Sequence, residues 1–403
     1  MSSSPPLVAQ LKQPVNHQEQ LDLTQFLRKL VQTPSPSTQE GAVAQLIQDE
    51  LRRIGIENIR VDRLGNIIAQ LGDGEGPTLL YNAHMDTVKP ADDPWPYPPF
   101  DAKISNNVLY GLGASDMKAS IAAMVYAAKR LVESEIRLHG NLVFAFVVQE
   151  EPCEGGALKF LMTEEGIQPN YVLLGEPRNM QVMCGHRGRV LFRGKVDGRS
   201  GHASNPRLGD NAITAAARLL FGIDLLAADL PTDPYLGTGT IAVTKIESHA
   251  SSLNAIPGSC TLYVDRRLTL GETATRAMSQ LEAVVEREGV NAEIEIVEYE
   301  AESYTGEVLK AREAFNAWAI NEDHPYVQRL LRTVQTIQGG SPTISYWDFS
   351  TDGVYSMAEA NIPTIGLGPG HPNMAHSAQE QVSLDNVASA VQVYALFAAS
   401  MLG

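Results

Sequence analysis

Cysteine is scarce in this 403-residue chain, which has only Cys153, Cys184 and Cys260. So small and odd a set builds no disulfide framework, and it sets the expectation of reduced thiols in a cytoplasmic protein. Basic runs are missing as well. Lys and Arg number 31 against 47 Asp and Glu, a formal net charge of −16. Phosphate recognition needs clustered Lys and Arg, so the charge balance argues against nucleic acid and against an anionic membrane as partners. No stretch reaches the ~18 apolar residues of a membrane span. Residues 1–18, MSSSPPLVAQLKQPVNHQ, lack a charged start and an apolar run, which speaks against a signal peptide and for a flexible leader. No internal repeat is present, and no low-complexity tract beyond that leader. With 44% hydrophobic and 19% charged residues, the rest has a globular composition and length enough for two domains.

Apolar spacing predicts helices over 20–33 and 39–55, the second closed by Gly55. IRVDRLGNIIAQL (59–71) reads as a strand pair around a Gly-Asn turn. Strands and helices then alternate: the strand TLLYNAHM, the Ala-rich helix 119–133, the strand NLVFAFVV (141–148), the helix ALKFLMTEEG and the strand YVLLGE. Beyond about residue 305 come a helix around 325–338, the strand PTIGLG (363–368) and a helix from about 384. Continuous apolar strands between helices predict an α/β fold, a mixed and mostly parallel sheet with helices on both faces. From about 187 to 302 the rhythm becomes β-α-β-β-α-β, that of a ferredoxin-like α+β unit. The expected organisation is a catalytic domain over 19–186 and 303–403, interrupted by an inserted domain over 187–302.

Five segments end strand-like runs, or open a helix, with residues of metal-ligand type. They are YNAHMDTV, GLGASDMKAS, VVQEEPCEGG, LLGEPRN and GPGHPNMAHSAQE. Together they present His84, Asp86, Asp116, Glu150, Glu151, Glu176 and His376. Imidazole and carboxylate ligate zinc and similar divalent ions. The set suffices for two metals with one carboxylate left over, and a spare carboxylate beside a two-metal water is what metal-assisted hydrolysis requires. A hydrolase with two co-catalytic metals is therefore the first functional reading.

Each member also has a plainer reading. His84 and Asp86 are two apart and so on one side of a strand end, where Asp86 is a natural partner for the ring; a polar turn is the alternative. Asp116 precedes the Ala-rich helix and suits an N-cap as well as a metal bridge. Glu150 and Glu151 would point apart on extended backbone, one ligating and one facing water, unless both are surface acids. Glu176 follows four apolar residues, where burial is costly unless the acid is paired or metal-bound. His371 and His376 share one loop, and spacing does not choose between them. Cys153, close to Glu151, is most simply a small buried residue. His202, Asn254 and Arg267 in the inserted unit look like substrate handlers. Arg suits a bidentate carboxylate grip, with an ordinary strand arginine as the alternative.

Taken with QEEPCEGG, GHRGR, RLGDNAI, DRRLTLGET, YWDFSTDGV and GLGPGHPNMAH, these segments resemble the acetylornithine deacetylase and succinyl-diaminopimelate desuccinylase family. The match covers nearly everything after about residue 20 and is nearest to the branch of selenium-metabolism-linked hydrolases. The resemblance implies that His84 and Glu176 bind one metal, Glu151 and His376 the other, and that Asp116 bridges them. It implies Asp86 as the orienter of His84 and Glu150 as the general base. Ala375, His376 and Glu380 fit the family's Ala-His pair with an acid four residues on; His371 does not. His202 matches a lid histidine that assists the oxyanion, in many relatives from the partner subunit, and Asn254 and Arg267 match holders of a substrate carboxylate. The implied cofactors are two divalent ions per subunit, zinc, with cobalt or manganese as alternatives. The inserted domain would be a lid and a homodimerisation surface. The implied reaction is hydrolysis of the amide bond of an N-acyl amino acid by a water bridging two metals. A dipeptidase, carboxypeptidase or N-carbamoyl amino acid amidohydrolase would use the same centre, and a non-catalytic metal- or amino-acid-binding protein is the remote alternative. Two departures stand out. Ala119-Ser120 follow DMK where relatives often carry two glycines, and FSTDG (349–353) matches the substrate loop only loosely, which leaves the acyl group open.

Overall fold

The computed structural model describes residues 6–403. The first finding corrects the expected leader. Pro6–Leu11 form a helix, α1, and Asn16 caps the next, α2 (His17–Gln32), by accepting from the Glu19 N–H. The buried Arg130 guanidinium pairs with Glu19 and donates to the Leu11 and Gln13 carbonyls. A buried cation that collects two chain carbonyls ties the segment down. Residues 1–5 of the expected leader lie outside the described residues.

In chain order the principal strands are β1 (Ile59–Val61), β2 (Ile67–Leu71), β3 (Thr78–His84), β4 (Asn141–Val147), β5 (Tyr171–Leu174) and β6 (Val182–His186). The inserted unit contributes β7 (Gly188–Asp197), β8 (Thr240–His249), β9 (Ser259–Leu268) and β10 (Ala292–Ile296). β11 (Trp318–Ala319), β12 (Ile344–Trp347) and β13 (Thr364–Gly366) complete the main sheet. That sheet runs β1-β2-β4-β3-β5-β13-β6-β11, with β12 alongside β6. Its centre, β4-β3-β5-β13, is parallel, and β1, β2 and β11 are antiparallel to their neighbours. β3 and β4 are mostly apolar because nearly every residue in them is buried, with Asn82 and His84 the buried polar members of β3. The helices Ala119–Glu133 and Leu384–Leu402 pack on each other and on β3, and the alanine-rich composition of the first permits that close approach.

The inserted sheet has the order β8-β9-β7-β10, all antiparallel, with the helices Ala212–Ala227 and Ala274–Glu288 packed on it. Here burial alternates along β7 and β9, since helices cover one face. Val190, Phe192, Leu262, Val264, Leu219 and Leu281 form a core separate from that of the main sheet. The β-α-β-β-α-β order is the ferredoxin-like one. The expected strand over AEIEIVEYEA is instead divided at Val297. Its second half, Glu298–Glu302, pairs with Val308–Arg312 in a ribbon that places Leu309 in the main core. Among the described residues no helix is long and apolar enough to cross a membrane.

Candidate active site

The parallel order β4-β3-β5 aligns three strand ends, and each end delivers acids or a histidine. His84 ends β3 opposite Val147, the last residue of β4; Glu150 and Glu151 follow β4, and Glu176 follows β5. The His84 Nδ1 lies 3.0 Å from the Asp86 main-chain carbonyl. A carbonyl only accepts, so Nδ1 carries a proton and Nε2 is the ring nitrogen turned inward to the acids. Nε2 sits 3.0 Å from Asp116 Oδ1 and 4.0 Å from both Glu150 Oε2 and Glu176 Oε1. His376 Nε2 approaches Glu151 Oε2 at 2.9 Å and Asp116 Oδ2 at 3.4 Å. Asp116 thus stands between the two imidazoles.

Asp86 stands beside His84 as expected and does more. Its carboxylate is 3.5 Å from His84 Nδ1, but it is occupied by the Glu150 N–H (3.1 Å), the Glu151 N–H (3.2 Å) and the Ser37 hydroxyl (2.7 Å). It fixes the loop that carries both glutamates, and its backbone holds the ring. The two glutamates are not on extended backbone either. Gln149 has φ +54°, and the chain turns there, so both acids reach the cluster. The N-cap reading of Asp116 does not hold: helix 119–133 has Lys118 at its cap position, without a side-chain cap.

Electrostatics point to a cation site. Burial alone would lower the His84 pKa, yet its contacts with Asp116 and Asp86 raise it well above the ordinary value. Contacts with Asp116 and Glu151 push His376 up to about 11. Burial, then mutual repulsion, pushes the Glu150 carboxyl up; burial does the same to Glu176, outweighing the pull of His84. Burial works against Asp116 too, but hydrogen bonds from His376 and His84 outweigh it and hold that carboxyl low. Glu176 Oε1 is buried without a hydrogen-bond partner. His84, Glu150 and Glu176 bring ligand atoms within 4.8 Å of one another, as do His84, Asp116 and Glu151. Crowded carboxylates, two imidazoles and an orphaned oxygen are a donor set that divalent ions fit.

The cluster opens into a cleft of about 410 Å³ that Arg267 also lines, with Arg189, Phe349 and Ser350. Arg267 is held by both Asp265 oxygens, at 2.8 and 3.1 Å. Arg189 stands directly opposite it on β7 and pairs with Glu154 and Glu313. His202 and Asn254 do not line this cleft. They adjoin each other on an exposed two-strand bridge of the inserted unit, where the Ala203 N–H donates to the Asn254 carbonyl. His371 turns its Nδ1 to the Asn373 N–H and does not line the cleft either. Cys153 is buried, its thiol pushed up to about 12 by burial.

Sequence reading missed three supporting acids. Glu380, read only as part of a motif, accepts the N–H groups of Gly113, Ser115 and Asp116 at 2.9–3.0 Å. Asp352 accepts from the Gly155 N–H at 2.8 Å. Glu40 accepts from the Gln149 N–H at 3.1 Å. All three are buried, which only long-range contacts reveal.

Known proteins share this architecture. Over 385 residues, 95% of each chain, the sequence is 34% identical to the uncharacterized protein YgeY of Escherichia coli (strain K12). It is 26% identical over 390 residues, 93% of this chain and 96% of the other, to the succinyl-diaminopimelate desuccinylase of Gluconacetobacter diazotrophicus. Human carnosine dipeptidase 1 has the same fold, with TM-score 0.75, 19% identity and 99% of both chains covered. So has an M20 family metallo-carboxypeptidase from Sulfolobus solfataricus, with TM-score 0.74, 18% identity and coverage of 94% and 98%. The sequence profile of peptidase family M20/M25/M40 matches residues 80–400. A profile spanning both halves of the main sheet and the unit between them, together with that cluster, makes this chain a member of peptidase family M20/M25/M40, metal-dependent hydrolases of peptide and amide bonds.

Proposed function

We propose that the protein hydrolyses the amide bond of a small N-acyl amino acid bearing a free carboxylate. The observation that carries this reading is the shared cleft: Arg267 lines the same 410 Å³ space as the acid–imidazole cluster. One bond and one carboxylate can thus be gripped together. The desuccinylase relatives support the acyl assignment.

In this reading His84 and Glu176 would hold one divalent ion, Glu151 and His376 the other, and Asp116 would serve both. Zinc suits the mixed nitrogen and oxygen donors. Two such ions, when bound, would supply Lewis-acid polarisation of the carbonyl and make the attacking water more acidic. Glu150 takes the proton of the attacking water and returns it to the leaving nitrogen. Asp86 keeps His84 in one tautomer and fixes the backbone of Glu150 and Glu151. Arg267 binds the substrate carboxylate, with Asp265 holding its guanidinium in place. His202 and Asn254 sit outside the cleft of their own chain, and we assign them to the site of a second copy in a homodimer through the inserted domain.

The test is a panel of N-acetyl, N-succinyl, N-formyl and N-carbamoyl amino acids plus dipeptides, assayed with zinc, cobalt or manganese and after chelation. Turnover of N-acyl amino acids that is lost on chelation and restored by metal is expected. Dipeptide turnover alone would move the protein to the dipeptidases, and activity indifferent to chelators would remove the metal reading. On the best substrate, Arg267→Ala should raise KM roughly 10- to 150-fold, the worth of one charge-assisted hydrogen bond, and change little on its carboxyl-amidated analogue.

A further inference from the structure

We propose that Glu40 and Tyr299 are positioning residues: together they hold Gln149 in the conformation that turns Glu150 and Glu151 into the cleft. This rests on the assignment of Glu150 as general base.

Gln149 is wholly buried and has φ +54°, a region non-glycine residues seldom occupy. Glycine adopts that conformation without steric cost, so a glutamine there needs its own holders. It has two. Its N–H donates to Glu40 Oε1 at 3.1 Å, and its side-chain Oε1 accepts from the Tyr299 hydroxyl at 2.7 Å. Glu40 precedes the helix Gly41–Arg53 yet makes no cap bond to it. The same Oε1 atom accepts the Thr38 N–H at 3.0 Å, which fixes the carboxylate toward the loop. Tyr299 comes from the ribbon strand Glu298–Glu302, which continues the last strand of the inserted sheet. Downstream, the Glu150 and Glu151 N–H groups end on Asp86. Three consecutive N–H groups therefore terminate on buried carboxylates. Asp86 serves the site directly, whereas Glu40 reaches it through Gln149. Glu40 Oε1 accepts the Gln149 main-chain N–H itself and is fixed by the Thr38 N–H, whereas Tyr299 holds only the side-chain amide, so Glu40 is the stronger holder of the backbone turn and Tyr299 the weaker.

The experiment compares zinc-loaded wild type with Glu40→Ala, Glu40→Gln, Tyr299→Phe, Gln149→Gly and the Glu40→Ala/Gln149→Gly pair, on the best substrate of the panel. Glu40→Ala should lose about 10²-fold in kcat with KM within ~3-fold, as for a small displacement of a reacting group. Glu40→Gln keeps an acceptor oxygen and should recover most of that loss. Tyr299→Phe removes one neutral hydrogen bond and should cost roughly 3- to 10-fold, which decides the matter if Glu40→Ala does not fold. With glycine at 149 the backbone needs no holder for its φ, so Glu40→Ala should cost under about 3-fold more in that background. Hydrogen exchange over residues 143–156 of the metal-free protein reads the same brace without turnover: faster in Glu40→Ala, near wild type in Glu40→Gln. Unchanged kcat and exchange in Glu40→Ala and Tyr299→Phe overturn the proposal. So does an equal Glu40→Ala cost in the glutamine and glycine backgrounds, which makes Glu40 a general structural residue. Glu150→Gln, measured alongside, separates the two readings. Near-normal turnover there removes the base assignment, while the coupling between positions 40 and 149 still decides the brace.

Discussion

Glu150 and Glu151 are adjacent in sequence and have different neighbours in space. Glu151 meets His376 at 2.9 Å and shares a ligand group with Asp116, whereas Glu150 groups with His84 and Glu176. If Glu150 moves the proton, Glu150→Gln keeps metal near wild-type stoichiometry and loses roughly 10²-fold or more in kcat. Glu151→Gln then loses metal first, because it removes a ligand and leaves His376 with one acid fewer. Elemental analysis and kcat on the two variants check this, and the reverse pattern would exchange their roles. Asp86 shows why a residue's type does not fix its use. Its two-residue spacing from His84 suggested a carboxylate–imidazole pair, present at 3.5 Å, but its oxygens also hold the Glu150 and Glu151 N–H groups and its main-chain carbonyl makes the shorter contact with the ring.

Among the elements, the loop before helix 119–133 depends most on one distant residue. Glu380, just ahead of the strand Gln381–Ser383, accepts three of its N–H groups and is 2% exposed. Glu380→Ala strands three buried donors, so a loss of about 3 kcal/mol or more in stability is expected, together with weaker zinc binding through Asp116. Thermal melts and zinc titration measure both, and unchanged zinc affinity would make Glu380 a purely structural brace. The long elements were legible because their apolar residues repeat. Helices 119–133 and 325–338 lie where the spacing puts them, and the ligand-type residues follow strand ends as parallel sheets demand. What escaped was short or non-local. The three-residue strands Lys103–Ser105, Val108–Tyr110 and Gln381–Ser383 have too few residues for a period, and the last two pair across about 270 residues. The ribbon after Val297 shares its alternation with the strand before it, so no pattern marks the break. Glu40, Asp352 and Glu380 act through backbone N–H groups, which carry no sequence signature.

At the scale of the whole molecule, the protonation of its buried acids governs stability. Burial raises Glu40 to about 7, Asp352 to about 6 and Glu380 to about 8, while Asp116 and Glu151 raise His376 to about 11. Each group holds its proton more tightly folded than unfolded, so the native state binds more protons and stability falls as pH rises. For the carboxyls the loss begins at their ordinary 3.8–4.5 and runs to about 8; for His376 it begins at 6.5. Asp116 shifts oppositely below 3.8, and burial pushes His186 down to about 3 and Lys118 down to about 7, so these two offset part of the loss below pH 6.5 and above pH 7 without matching the more numerous raised groups. The melting temperature of metal-free protein should therefore fall from pH 5 to pH 8, and zinc, which competes with protons, should raise it more at pH 8. A flat metal-free profile would contradict this. Assembly is tested by mixing inactive Glu150→Gln and His202→Ala proteins: recovered turnover supports a second copy completing each site, and no recovery removes it. The order of the main sheet has a consequence for synthesis. β13 pairs with β5 across roughly 190 residues, and His376 and Glu380 lie beyond it. Until those last segments emerge, β5 is an unpaired edge and the cluster lacks its second imidazole. Closing so long a loop is slow and leaves apolar edges exposed, so the nascent protein is expected to pass through an association-prone stage. If His376 holds the second ion, hydrolytic competence waits until the segment from β13 to Glu380 has joined the sheet.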